Sequence, residues 1–317
     1  MSQAIEAAGP GAPAAAAAPI QADWELDYYS RPILEPDGKK RWELLICSTP
    51  AVVPGGGAGV PPAGTARGPF RWVVTCPAAS VNSTWLREAL DEAIAAAAAQ
   101  GFAAPRRLRC WRGSMRTMVQ RAAETLGLEM VPSRRCYALV EWLNERQATV
   151  YPQEEGYMAG PLAPPPLPIR PPAVPLPEAV RGDSWSWASL PAAALREAAD
   201  WPVSFAGLVP LPAHLDDGAM VNGLRLFSAS RSLAIAGWMA GLEPVRLEVD
   251  GRQLVLEAGM DDRWLLGTLE EPEAAAALAA FRAARSQTEG FQFIAVQSDE
   301  GQQGFDGFWI LRDLPDA

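Results

Sequence analysis

Arginine is concentrated in one segment of the chain, residues 106–135, where only two carboxylates, Glu124 and Glu129, lie among eight guanidinium groups. Guanidinium groups form bidentate hydrogen bonds with phosphate, and aromatic faces stack on unpaired bases. Trp111 supplies such a face beside Arg112. The residue types in this segment therefore suit a single-stranded ligand that carries both phosphates and bases.

The candidate binding residues of this segment share a guanidinium group or an aromatic ring. They are Arg106, Arg107, Arg109, Trp111, Arg112, Arg116, Arg134 and Arg135. Along a strand predicted over 106–112, Arg107 and Arg109 lie on one face because side chains alternate. The alternative interpretation is a solvated sheet edge whose arginines pair with carboxylates of the preceding helix, which are Glu88, Asp91 and Glu92. Spacing alone favours that alternative.

Alternation and capping residues predict the elements that position this segment. Strands are predicted over 24–30, 41–47, 70–76 and 106–112. The first helix begins at Asn82 or Ser83 as N-cap and ends at Gly101, and a second helix spans 114–127. Residues 135–146 are predicted as a strand that runs into a helix or turn. The resulting order, βββαβαβ, indicates a mixed sheet with helices packed on it.

The second half of the chain also predicts an α/β unit, built around a meander. Its predicted strands are 184–190, 245–251, 253–259, 263–269, 291–297 and 307–313. Its predicted helices are 190–201, 228–242 and 271–286. Ser228 or Ser230 is the expected cap of the middle helix, and Pro272 opens the last one. The fold class is therefore α/β (α+β), with two domains that each contain a mixed sheet and packed helices.

A proline-rich segment separates the two halves, with nine prolines between Pro161 and Pro177. Such a run favours an extended polyproline II linker. The predicted organisation is a disordered tail (1–22), a first domain (23–158) with a Gly/Pro-rich loop (50–69), a linker (159–179) and a second domain (180–317). Up to residue 158 the chain has 16 basic and 16 acidic residues, whereas the remainder has 11 basic and 21 acidic residues. We expect a nucleic-acid surface in the first domain and protein partners on the acidic second domain.

The element order of the first half matches that of ribonuclease-H-like nucleases. Those enzymes hold two metals with carboxylates on the first strand, the first helix and the end of the fourth strand. Asp27 suits the first position and Glu88 or Asp91 the second, but the fourth strand ends in Cys-Trp-Arg at 110–112. The missing acid opposes hydrolysis. We therefore predict a protein with no catalytic residues, no metal and no cofactor.

The sulfur and imidazole groups agree with this prediction. The cysteines are widely spaced and form no CxxC pair, and each lies in a stretch typical of a strand: Cys47, Cys76, Cys110 and Cys136. Buried free thiols are favoured over disulfides or a zinc site. The single histidine, His214, follows Pro212 in a predicted loop. One histidine excludes the sites that need two or three.

Hydropathy and the N-terminal residues indicate where the protein acts. No uninterrupted apolar run approaches the roughly 20 residues needed to span a bilayer. Residues 1–22 contain neither a basic start with an apolar core nor the Arg/Ser pattern of a transit peptide. We expect no membrane insertion and a cytoplasmic location.

Three long segments resemble the Tab/Atab family of RNA-binding translation activators for photosystem reaction-centre mRNAs. They are WELDYYSRPILEPDGKKRWELLIC (24–47), PSRRCYALVEWLNERQATVYP (132–152) and GFWILRDLP (307–315). The resemblance implies binding to the untranslated leader of the photosystem I PsaB message, and support of photosystem biogenesis. It also singles out Trp309, Arg312 and Asp313 in the C-terminal signature. Without a transit peptide, the chain suits a cyanobacterial member.

Two other functions stay open at this point. One is a metal-dependent nuclease of ribonuclease-H-like fold. The other is a photosystem assembly scaffold that contacts protein only.

Overall fold

Three sheets and six α-helices form the fold of the described residues. The structure is a computed structural model, and it describes residues 22–50, 52, 69–159, 171–302 and 304–314. One sheet, with α1 to α3, forms the first domain, and the other two, with α4 to α6, form the second. Residues 1–21 of the predicted tail, nearly all of the Gly/Pro-rich loop and residues 160–170 of the linker lie outside the described residues. The domain boundaries therefore stay predictions.

The sheet of the first domain has the strand order β3-β2-β1-β4-β5. Its strands are β1 (Ala22–Leu34), β2 (Lys40–Ser48), β3 (Arg71–Cys76), β4 (Pro105–Cys110) and β5 (Glu129–Pro132). The first three strands are antiparallel to one another, and β4 runs parallel to β1 and β5. The predicted ribonuclease-H-like element order is confirmed.

The β1–β2 hairpin turns at Asp37 and Gly38, a residue pair typical of turns. Gly38 has a φ of 80°, a left-handed conformation that glycine adopts without steric cost. Leu26 and Tyr28 on β1 pair with Ile46 and Leu44 on β2 and are fully buried. The alternate positions of β1 face the opposite side of the sheet, which places Glu25 and Asp27 together there.

Helices α1 (Ser83–Ala99) and α2 (Arg116–Thr125) cover the face of the sheet that bears Leu26. Asn82 caps α1, as predicted, by accepting a hydrogen bond of 2.9 Å from the backbone N–H of Trp85. Gly101 follows α1 with a φ of 79°. These two helices bury an apolar layer against Trp24, Leu26 and Leu108.

Residues 135–146 were predicted as a strand that runs into a helix or turn; the helix is confirmed as α3 (Tyr137–Thr149), and the strand is wrong. Leu139, Trp142 and Leu143 recur at helical spacing and pack on the second face of the sheet. The strand precedes the helix, as β5, and Cys136 lies just before α3 and outside any strand. All four cysteines are free and buried, which confirms the thiol prediction.

The second domain contains a five-stranded and a four-stranded sheet among the described residues. The first has the order β7-β9-β13-β14-β8: β7 (Ser184–Pro191), β8 (Val203–Gly207), β9 (Met220–Phe227), β13 (Phe291–Gln297) and β14 (Phe305–Arg312). The second has the order β10-β11-β12-β6: β6 (Val174–Pro175), β10 (Pro244–Asp250), β11 (Gln253–Ala258) and β12 (Asp262–Thr268). The predicted meander is β10 to β12.

The helices of this domain are α4 (Ala192–Arg196), α5 (Ser232–Ala240) and α6 (Glu271–Gln287). Helices α5 and α6 share one core with the two sheets, which contains Leu224, Ile235 and Leu254. The expected serine cap of α5 is wrong: Arg231 precedes the helix without a side-chain cap, and the Ser228 hydroxyl donates to Asp183.

The end of the proline-rich segment departs from a free linker. Val174 and Pro175 pair in parallel with Trp264 and Leu265 of β12, and Leu176 is buried. Proline is tolerated there because the pair lies at the edge of its sheet. Strand pairing therefore begins inside the predicted linker.

Candidate nucleic-acid interface between the two domains

A cleft of about 430 Å³ lies between the two domains and collects residues from both. Five of the predicted site residues line it: Arg107, Arg109, Arg135, Trp309 and Arg312. Arg107 and Arg109 reach it from β4, Arg135 lies just before α3, and the other two belong to β14. Arg107 and Arg312, which are 205 positions apart in the chain, thus meet at one site.

Arg107 and Arg109 share a face of β4, but they are held very differently. Arg109 donates hydrogen bonds of 2.5 and 3.2 Å to Glu243 and lies 2.9 Å from Asp23. The contacts of Arg107 are longer: a hydrogen bond of 3.4 Å to Glu129, and ion contacts at 3.6 Å to Glu243 and 3.8 Å to Asp23. Its side chain keeps 30% of its exposure, against 8% for Arg109. Arg107 is therefore the guanidinium better placed to contact a ligand.

The ion partners of these two arginines are not the helix carboxylates that spacing suggested. Asp23 and Glu25 alternate along β1 beside Arg107 and Arg109, a signal that the sequence contains. Glu243 comes from the second domain, 134 positions from Arg109. Its φ of 55° is unusual for a residue with a side chain. Arg109 and the Ser133 hydroxyl hold its carboxylate in place.

Arg135 joins the domains through backbone oxygens. Its guanidinium donates hydrogen bonds to the carbonyls of Pro244 at 2.7 Å, Gly207 at 2.7 Å and Ile310 at 2.9 Å. Gly207 must be a glycine, because a Cβ there would lie 2.3 Å from the Trp309 ring. Arg135 is 7% exposed, so it acts in the domain interface instead of on a free surface.

The neighbours of Arg135 serve the same interface. Arg134 pairs with Glu257 at 2.9 Å, and its backbone N–H donates to Gly259. The Tyr137 hydroxyl donates to the Val245 carbonyl at 2.6 Å. The segment at 132–146 is thus mainly a docking element between the domains.

The C-terminal signature lies on the other side of this interface. Arg312 pairs with Glu141 of α3 at 2.5 Å and with Glu289 at 2.9 Å. Asp313 pairs with Arg246 and Arg285 at 3.1 and 2.6 Å. Arg312 and Asp313 therefore have separate ion partners, although they are neighbours in the chain. Trp309 is 2% exposed and lines the cleft.

Trp111 and Arg112 belong to a separate cluster, in which both are half-buried. The Arg112 guanidinium stacks between the Tyr29 ring at 4.1 Å and the Trp111 ring at 4.6 Å. It also donates to Asp27 at 2.6 Å. The aromatic face of Trp111 is therefore occupied by the protein's own arginine.

Asp27 anchors this cluster with both of its oxygens. Arg112 binds one oxygen, and Arg31, which is fully buried, binds the other at 2.7 Å. Burial alone would raise the pKa of Asp27, but the charges of Arg31 and Arg112 outweigh burial and lower it. Arg31 also forms an ion pair with Glu43 at 3.3 Å. The cluster is an internally balanced charge network.

The carboxylates proposed for a nuclease do not converge. Asp27 faces the α3 side of the sheet, whereas Glu88 and Asp91 lie on the exposed face of α1, on the other side. Within the described part of the chain, no group of three or more His, Cys, Asp or Glu side chains is arranged to hold a metal.

Arg106 and Arg116 are the candidates on the open surface. Both are exposed and have no ion pair or hydrogen bond from their side chains among the residues that the structure describes. Arg106 lies on the opposite face of β4 from Arg107, and Arg116 begins α2. They do not line the cleft.

Glu25 lies under the cleft and couples it to α3. Its carboxylate accepts the Leu139 N–H at 2.8 Å and the Thr49 hydroxyl at 3.0 Å. Burial raises the pKa of Glu25 to about 7, although these hydrogen bonds and the charge of Arg109 oppose the rise. This acid therefore titrates near neutral pH.

We predict that the titration of Glu25 lowers the free energy of unfolding as pH rises. The folded protein keeps this proton over a range in which the unfolded chain has lost it, so the contribution is complete below about pH 4.5 and is lost as pH rises to about 7. The raised pKa corresponds to a loss of about 3 kcal/mol. In Glu25→Gln, urea unfolding at a series of pH values should lack this decline.

Glu92→Gln, on the exposed face of α1, is the matched control and should keep the decline. Parallel pH profiles for wild type and Glu25→Gln would show that Glu25 does not titrate in this range.

Within the described residues, no helix is long and apolar enough to cross a membrane.

Both walls of the cleft lie in regions that resemble known protein families. Residues 23–146 match the family described as RNA-binding protein Tab2/Atab2 N terminal. Residues 164–312 match the family described as RNA-binding protein Tab2/Atab2, C-terminal domain. A chloroplastic TAB2 homologue of Zea mays is 36% identical over 303 residues, 92% of this chain and 72% of the maize protein. The Arabidopsis thaliana homologue is 32% identical over 303 residues, 92% of this chain and 75% of that protein.

Proposed function

The chain belongs to the RNA-binding Tab2/Atab2 family, and from that premise we propose that it binds single-stranded RNA without cleaving it. The observation that carries the proposal is that the two matched regions form opposite walls of one cleft. The resemblance in sequence suggests the leader of the photosystem I PsaB message as the target. Translation activation in the cytoplasm, in support of photosystem biogenesis, is the corresponding role.

Three arginines are the proposed phosphate contacts. Arg106 and Arg116 are exposed, and Arg107 is held only by long contacts. Of the other arginines predicted as binding residues, Arg109 and Arg112 have short ion pairs, and Arg134 and Arg135 hold the domain interface. The proposed phosphate contacts are thus fewer than the sequence indicates, and only Arg107 among them lines the cleft.

We predict that RNA binding weakens steeply as salt rises, because each guanidinium–phosphate contact releases a counterion. The Arg106→Ala, Arg116→Ala double variant should reduce the slope of log K against log salt by about 2. Fluorescence anisotropy with a labelled leader RNA measures this slope directly.

Arg87→Ala is the matched control, since Arg87 lies in the same domain and pairs with the neighbouring Glu88. It should leave the slope unchanged. A wild-type affinity that does not vary with salt would contradict phosphate-driven binding.

The proposal that the protein is not a nuclease is supported by the Asp27 cluster. Guanidinium groups occupy both carboxylate oxygens where a nuclease needs a metal. Labelled RNA incubated with Mg²⁺ or Mn²⁺ should therefore stay intact. Cleavage that Asp27→Asn abolishes would overturn this part of the proposal.

The acidic excess of the second half supports protein partners there as a second component of the proposal. Co-purification with and without RNase treatment separates the two components. Partners that persist after the treatment, with no RNA recovered from untreated protein, would favour the scaffold alternative.

A further inference from the structure

The size of the interdomain cleft suits one small ligand group. Its volume of about 430 Å³ falls in the range of about 300–1,000 Å³ typical of ligand sites. One wall is apolar and is formed by Ala206 at the end of β8 and by Leu208 and Val209, which come directly after this strand. Ala138 of α3 and Ala240 at the end of α5 also line the cleft. These small side chains leave room for a planar group, and we call the part of the cleft that they line the slot.

Few polar groups in this slot remain open to a ligand. Arg109, Arg135 and Arg312 are at most 8% exposed and bonded within the protein. Arg107 is 30% exposed and loosely held, and the carboxylates of Asp23 and Glu141 are 28% and 48% exposed. A carboxylate has about four lone-pair sites, so each can accept further hydrogen bonds beyond its arginine. The cleft thus offers one guanidinium donor and two carboxylate acceptors beside an apolar wall.

This combination differs from a phosphate-binding groove, which would be uniformly basic. Carboxylates accept hydrogen bonds from the amino and ring N–H groups of bases, and repel phosphate. The guanidinium suits one phosphate, and the apolar wall suits the face of a base. Adenine, cytosine and guanine carry an amino group, whereas uracil presents two carbonyl oxygens around its single N–H.

Resting on the proposed function, we propose that the cleft binds one unpaired nucleotide of the RNA, with its base in the slot. Arg107 contacts its phosphate. Asp23 and Glu141 accept from its amino edge, so the cleft disfavours uracil. The domain interface at Arg135 fixes the width of the slot, because it joins α3 to Gly207 of the apolar wall.

Filling the slot tests this proposal. Ala240 is exposed at the cleft, and Ala234 is exposed on the same helix but does not line it. Ala240→Trp should weaken binding of labelled oligoadenylate of about ten nucleotides by about tenfold, the loss expected when one base contact is removed. Ala234→Trp should bind like wild type. For the wild type, oligouridylate should bind more weakly than oligoadenylate and oligocytidylate.

Thermal unfolding midpoints of both tryptophan variants verify their folding. If Ala240→Trp unfolds, Arg107→Gln replaces it, since Arg107 is outside the core, and the same loss is expected. Equal affinity of wild type and the folded cleft variants would overturn the nucleotide site while RNA binding stands. Equal affinity for the three oligonucleotides would overturn the amino-edge contacts. A wild type that binds none of them would instead contradict the proposed function itself, and with it the site.

Discussion

Replacing Asp27 with alanine will lower the free energy of unfolding by about 3–5 kcal/mol, the loss typical of breaking one partner out of a buried ion pair. Arg31 would keep only the 3.3 Å contact with Glu43 as its carboxylate partner, although its side chain is fully buried. Its Nη2 atom already has no hydrogen-bond partner among the described residues. The variant therefore leaves a positive charge in a site that water does not reach.

Urea unfolding of Asp27→Ala, compared with Asp37→Ala, measures this effect. Asp37 lies 3.8 Å from Lys39, and both side chains are 59% exposed, so the control should change stability by less than about 1 kcal/mol. Adding Arg31→Met to Asp27→Ala should restore part of the loss, because the buried charge is then removed. A loss below about 1 kcal/mol for Asp27→Ala would mean that the cluster is solvated.

Arg135→Ala will destabilise the domain interface by about 3–5 kcal/mol, because three carbonyl oxygens, two of them in buried hydrogen bonds, lose a charged donor. The carbonyls belong to β8, β10 and β14, so the loss affects contacts between the domains more than either core. Separate unfolding of the two domains is therefore expected in calorimetry. Wild type should unfold in one transition.

Arg135→Lys is the conservative control for this prediction. One ammonium group cannot reproduce the planar fork that reaches carbonyls on three strands, so an intermediate loss is expected. A single transition and a stability change within about 0.5 kcal/mol for Arg135→Ala would contradict the role assigned to Arg135.

Local signals were sufficient for much of the first domain. The alternation in β1 and β2 and the Asn82 cap each act over a few residues, and the structure confirms them. The strand predicted within residues 135–146 is wrong because a short apolar run does not distinguish a strand from a helix. Helical packing against Leu45 and Cys47, which lie far away in sequence, decides that case.

Strands β8 and β9 are absent from the prediction for a related reason. Asn222 and Gly223 are typical of a turn, yet they lie inside β9. A Cβ at Gly223 would come within 2.5 Å of the Phe293 ring, so the glycine is required by packing with β13. Contacts between strands created this requirement, and the local sequence does not report it.

The sequence indicated which residue types belong to the site, but it did not indicate which partners those residues bind. Alternation placed Arg107 and Arg109 on one face, but their partner Glu243 lies 134 positions from Arg109. The same limit applies to Arg135, whose acceptors are backbone oxygens of the second domain. Such partners become visible only when the two domains are docked.

Ultraviolet crosslinking in cells of the organism that encodes this chain, followed by sequencing of the attached RNA and mass spectrometry of the attached peptides, tests the central claim most directly. We expect leader RNA of a photosystem message, with crosslinks in peptides that contain residues of the cleft such as Arg107 or Leu208. Recovery of no RNA above the level of an uncrosslinked sample would contradict the account.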